Sequence, residues 1–262
     1  EDSLNVDARM NKRVDRALSI VVLRLPRISN HDEFQPFEHE PDVALTFTDD
    51  PEVALSADLL IVPGTKSTIA DLEWLRAQGL DLVIKLRALR GRRVLGICGG
   101  CQMLGRAIAD PMHVESERDG AEGLGLLALR TQFSQRKNTV RVRARKAGRS
   151  WLFGEVEAEI PGYFIHAGLT ASEAQPALET HDDRGWQVNG AVSDDGNVIG
   201  TMVHGLFETD ALRHALLDGL RKSRGLSAVG ERARWDREAE YDRLAEMIRE
   251  HADTEALHAL VE

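Results

Sequence analysis

Apolar positions come first as short solid runs and later as looser, alternating ones. Leu18–Leu23, Val43–Phe47, Leu59–Val62 and the stretch from Arg93 to Ile97 are almost unbroken by polar residues. Runs of this length suit strands covered on both faces. Between the third and fourth runs, residues 69–78 and 82–89 space their apolar side chains three and four apart, the period of an amphipathic helix. Alternation of strand and helix predicts a parallel sheet flanked by helices. Beyond Gly120 the character changes. Residues 124–133, 139–144 and 156–160 read as short strands, and Tyr163–Gly168 as another apolar one. Residues 186–192 and 198–203 read as a hairpin around the turn-type cluster Asp194-Asp195-Gly196-Asn197. A helix follows over 211–220, then a break over 225–230. Tyr241, Leu244, Met247 and Ile248 share one face of a charged helix, and Ala256, Leu257, Leu260 and Val261 suggest a last short one.

This pattern divides the chain into a polar linker over 1–16, a catalytic-type α/β domain over 17–225 and a helical extension over 226–262. The chain opens on Glu1 rather than a methionine, which suggests a piece of something longer. A net charge of −10 argues against general nucleic-acid binding. No apolar run approaches the roughly 20 residues of a membrane span. Two cysteines three positions apart make no disulfide framework, so a reducing cytoplasm is expected. Cys98 and Cys101 do form C-x-x-C, but no second such pair exists for a zinc site, and the flanking glycines suit a strand–helix turn better. No metal site is expected.

Gly96-Ile97-Cys98-Gly99-Gly100 carries the chemistry. It stands between a buried strand and a helix, and it is the cysteine version of the G-x-S-x-G nucleophile elbow. Small neighbours allow the sharp turn that lifts the sulfur towards the start of the helix, whose positive end favours thiolate. The bland alternative is a buried structural cysteine. A cysteine nucleophile needs a base, and His204 ends the apolar strand Val198–Val203, where ligands gather in open parallel sheets. The backbone N–H groups of Gly99 and of the Gly64 turn could hold an oxyanion. Gln102, Thr65 and His166 are candidate substrate contacts. Gly64-Thr65-Lys66-Ser67 is not a P-loop, because the glycine that must precede the lysine is missing, so no ATP binding is expected in this chain.

In this order, these elements resemble the class I (triad-type) glutamine amidotransferases, whose G-I-C-x-G-x-Q elbow matches Gly96–Gln102. Leu25–Asn30 with Asp32 and Phe34, Pro63–Thr68, Gly123–Leu127, Tyr163–Gly168 and Gly200–Phe207 are similar to the C-terminal glutaminase domain of the cobyric acid synthase branch. The resemblance implies an α/β, flavodoxin-like, mostly parallel sheet flanked by helices, with extra short strands and the C-terminal helical extension. It implies glutamine as substrate, Cys98 as nucleophile, His204 as base and Gln102 as a glutamine contact. It also implies that the ammonia serves an N-terminal synthetase domain of the same polypeptide. That absent domain would bind ATP and Mg2+ and amidate adenosylcobyrinic acid a,c-diamide on the route to cobalamin. The triad's usual glutamate, two residues after the histidine, is replaced by Leu206. Glu208 is then a possible third member, and a Cys98–His204 dyad is the alternative. The other readings are a glutaminase for cobyrinic acid a,c-diamide formation or cell-wall amidation, a γ-glutamyl hydrolase, and a non-catalytic interaction module.

Overall fold

A computed structural model describes residues 16–148 and 150–252, so the linker residues 1–15 and the last short helix after 252 lie outside the described residues. The solid apolar runs form the centre of one sheet. They are β1 (Leu18–Leu23), β2 (Val43–Thr48), β3 (Leu59–Val62) and β4 (Arg93–Ile97), all parallel. All four side chains of β3 are buried, which is why this strand carries no alternation. Helices α1 (Pro51–Ser56), α2 (Thr68–Ala77), α3 (Leu80–Leu89) and the short α4 (Gly99–Leu104) connect or follow these strands.

The second half begins with β5 (Ala107–Ala109) and β6 (Gly120–Glu122), then two long strands, β7 (Leu129–Lys146) and β8 (Ile160–Ser172), and the hairpin β9 (Leu178–Asp182) with β10 (Gly185–Asn189). β11 (Ala191–Val192) and β12 (Val198–Thr201) return to the first sheet, followed by α5 (Asp210–Ser223) and α6 (Arg237–His251). The first sheet runs β11-β12-β4-β3-β1-β2, parallel except for β11. Its parallel strands therefore follow the flavodoxin-like order, with sites expected at their carboxyl ends. The second sheet runs β10-β9-β7-β5-β6, with β8 also on β7.

Three sequence expectations differ from the structure. The strands expected at 124–133 and 139–144 are parts of one strand, β7, whose register against β8 shifts between Gln132 and Lys137. The strand expected at 156–160 starts only at Ile160, as the first residue of β8. The strand expected at 186–192 is cut in two. Gly190 takes φ 68°, and a Cβ there would stand 2.0 Å from the Gly200 carbonyl oxygen. The chain turns at this glycine and passes from one sheet to the other, so β10 pairs with β9 and only β11 pairs with β12. Among the described residues no helix is long and apolar enough to cross a membrane.

Candidate active site

Four strand ends converge on one place. Cys98 follows β4, His204 follows β12, the Gly64–Thr65 turn follows β3, and the loop carrying Asn30 follows β1. Cys98 sits at φ 52° and ψ −111°, a strained region for a residue with a Cβ. Its N–H donates to the Thr201 carbonyl at 2.8 Å, tying the turn to β12, and its carbonyl accepts from Gln102 at 3.0 Å. The turn is possible because its glycines touch backbone. A Cβ at Gly100 would lie 1.9 Å from the Val62 carbonyl oxygen, and one at Gly96 would lie 2.8 Å from the Cys101 amide. One at Gly99 would meet the Thr65 amide nitrogen at 3.2 Å, so the elbow and the β3 turn are in contact.

The Cys98 sulfur interacts with the ring of His204, which is fully buried. Its Sγ also lies 3.5 Å from the Ile165 carbonyl of β8. His204 Nδ1 is 3.1 Å from Glu33 Oε1, and the Gly205 N–H donates to Glu33 Oε2 at 3.3 Å. Glu33 belongs to a 3-10 helix, His31–Phe37, that follows the Asn30 loop. The Asn30 amide lies across the imidazole, 3.2 and 3.3 Å from its two nitrogens. On another side, the Tyr163 ring stacks on the imidazole at 5.4 Å between centroids. The backbones of Tyr163 and His204 exchange two hydrogen bonds, at 2.9 and 3.2 Å. Burial alone would lower the histidine pKa, but the Glu33 carboxylate and the Cys98 sulfur outweigh it and raise it to about 10. The ring is therefore a cation at neutral pH.

The other expected site residues occupy distinct places. Gly64 abuts the imidazole, and a Cβ there would be 3.2 Å from His204 Cε1. Gln102 is buried next to the elbow, and its Oε1 accepts from the Thr68 hydroxyl at 3.2 Å. Thr65 turns its hydroxyl to Asp71 Oδ2 at 2.5 Å, so its methyl group and main chain, not the hydroxyl, face the elbow. His166 lies in β8, but its side chain is outside the described residues. Glu208 does not reach the histidine. Its Oε1 accepts from Arg237 Nη2 at 2.6 Å, and both residues line a cavity of about 650 Å³ beside Tyr163. The carboxylate on the imidazole is Glu33, which replaces the expectation for Glu208 because the chain after His204 is drawn to the start of α6 instead.

Glu33, Asn30 and Tyr163 received no role from sequence reasoning. One signal was available: Leu25–Asn30 leaves the carboxyl end of a central strand, where functional loops collect. Cys101, the second cysteine, is fully buried, and burial together with the nearby Cys98 raises its thiol pKa far above the ordinary range. It is packed against β12, where a Cβ on Gly200 would lie 2.6 Å from its sulfur.

The model of the CobB/CobQ-like glutamine amidotransferase domain matches residues 19–212. The chain belongs to this family. It is 44% identical over 290 aligned positions to a cobyric acid synthase of Sorangium cellulosum, covering all of this chain and 54% of that protein. It is 39% identical to a cobyric acid synthase of Klebsiella pneumoniae, again over all of this chain and 52% of the relative. The chain thus spans about half the length of the curated relatives it matches. Among solved structures, PurLQS from Thermotoga maritima superposes with a TM-score of 0.52 at 17% identity, covering 79% of this chain and 99% of that one. A structure described as a glutamine amidotransferase superposes with a TM-score of 0.54, also at 17% identity, over 77% of this chain and 98% of that one. These two share the fold, and the family membership makes the chain part of an enzyme.

Proposed function

We propose that this chain hydrolyses glutamine at Cys98 and supplies the ammonia to a synthetase domain. In that reading the domain belongs to the same polypeptide and carries out the ATP-dependent amidation of adenosylcobyrinic acid a,c-diamide. The observation that carries the first part is a sulfur on a strained elbow interacting with a buried, charged imidazole. The similarity to cobyric acid synthases over the whole chain supports the acceptor.

The Cys98 thiolate attacks the side-chain carbonyl carbon of glutamine. The oxyanion that forms is held by backbone N–H groups of Gly99 and the Gly64 turn, each worth roughly 10²–10³ in rate. The sulfur loses its negative charge as the new bond forms. That charge helped to hold the proton on His204. The imidazolium becomes more acidic when the leaving nitrogen needs a proton, and ammonia departs. The product is a γ-glutamyl thioester. Neutral His204 then takes a proton from water, which attacks the thioester, and glutamate leaves with the thiolate restored. Gln102, beside the elbow, is the expected glutamine contact in this reading.

The test is formation of glutamate from glutamine by the full chain beside Cys98→Ser, with labelling by a glutamine-analogue electrophile. Wild type should turn over and be labelled once, at Cys98. A wild-type protein that does neither, with its synthetase domain present, would point to a non-catalytic module. ATP and Mg2+ requirements of the amidation would trace to the synthetase domain.

A further inference from the structure

Glu33 stands 171 positions before His204 in sequence and touches it at two points, the ring Nδ1 and the N–H of the next residue. We propose that Glu33 is the positioning residue of the Cys98–His204 pair, in place of a carboxylate supplied by the histidine's own segment. The proposal rests on the glutaminase reading for its kinetic consequence, while the contact itself does not.

A carboxylate on Nδ1 fixes the ring's orientation and leaves the other nitrogen for the sulfur. Both partners are out of solvent, with side-chain exposures of 0% for His204 and 2% for Glu33, so water does not weaken the interaction. The groups that face the imidazole are Cys98 from the elbow, Glu33 and the Asn30 amide from the β1 loop, and Tyr163 from β8. Of these, Glu33 is the one carboxylate. Asp32 and Glu208 lie farther out, and both are paired with Arg237.

Glu33 is also held on both sides along its own chain. Upstream, Ser29 N–H donates to the Gly64 carbonyl at 2.9 Å, and Lys66 N–H to the Arg27 carbonyl at 2.9 Å. Arg27 in turn is clamped by Asp71 through its N–H at 3.1 Å and its guanidinium at 2.9 Å. Downstream, Phe34 and Phe37 pack on Phe207, at 6.2 and 4.7 Å between ring centroids. One stretch, 27–37, therefore binds the Gly64 turn with one end and the segment after His204 with the other. The carboxylate between those anchors has little freedom to leave the ring.

The experiment compares wild type, Glu33→Gln, Glu33→Asp and Glu208→Gln in the full chain. It follows the His204 titration by NMR of labelled histidine and the pH profile of glutamine hydrolysis. Glu33→Gln keeps the shape but removes the charge, so the midpoint should fall from about 10 towards the ordinary value of about 6.5, with the Cys98 sulfur still opposing burial. It should cut kcat by roughly 10²–10⁴ with KM little changed. Glu33→Asp should recover part of both, and Glu208→Gln should leave both near wild type. Near-UV circular dichroism separates a folded variant from a collapsed one, and the aspartate variant answers if glutamine at this position does not fold. An unchanged midpoint and rate in folded Glu33→Gln overturns the proposal, as does the same loss in Glu208→Gln. Should wild type show no hydrolysis, the glutaminase reading fails, and the titration still decides whether Glu33 governs the ring.

Discussion

At the scale of single residues, the two cysteines separate by environment. Cys98 stands at a turn and interacts with a cationic imidazole, whereas Cys101 is sealed against β12 with its thiol held protonated. Cys98→Ser should lower glutamine hydrolysis by at least about 10³-fold. Cys101→Ala should keep the rate within about an order of magnitude and lose roughly 1–2 kcal/mol of stability, read by urea unfolding. The same imidazole makes stability depend on pH. Its folded pKa, about 10, is above the unfolded value, so folding takes up a proton at this site. The stabilisation is complete below about pH 6.5 and is lost as pH rises towards 10. Urea midpoints measured across that window should fall more in wild type than in His204→Gln.

At the scale of elements, the elbow works because α4 can press against the end of β3. Gly100→Ala puts a methyl group on the Val62 carbonyl, a backbone group with nowhere to go. The expected cost is about 1–3 kcal/mol or more, with loss of hydrolysis, since any relief moves Cys98. Sequence reading found the elbow and most of the parallel strands because a buried strand and a helix write their periods locally. It missed β5, β6 and β9 and split β7. The first two are three-residue strands with no period to detect. β7 runs through a register shift that hides its continuity. The passage between sheets at Gly190 is set by a glycine against a distant carbonyl, and alternation across residues 186–192 carries no trace of it.

At the scale of the whole molecule, the second sheet lies over the site of the first. β8 brings the Tyr163 ring onto His204 and the Ile165 carbonyl to Cys98, so one strand covers both members of the pair. On the opposite flank, α5 is tied to the chain beyond Glu33 by a fully buried pair, Arg213 Nε to Glu40 Oε1 at 2.8 Å. Arg213 also donates to the Phe207 carbonyl at 2.9 Å, so it braces the segment after His204 as well. Arg213→Met should cost about 3–5 kcal/mol by denaturant unfolding, because it strips a buried carboxylate of its guanidinium partner and leaves it only His214 at 3.1 Å and a long bond from the Ala233 N–H. Replacing Glu40 by Gln in the same protein should recover part of that loss.

Local sequence determined the parallel core, the sharp turn at Cys98 and the position of His204 at a strand end, since each depends on residues within one or two turns of chain. Tertiary structure alone decided which carboxylate meets the imidazole and which strand roofs it. Glu208 is four residues from His204 yet turns to Arg237, while Glu33 arrives from the far side of the sheet order. The physical reason is that burial and charge pairing act through space, and sequence spacing measures distance only along the chain.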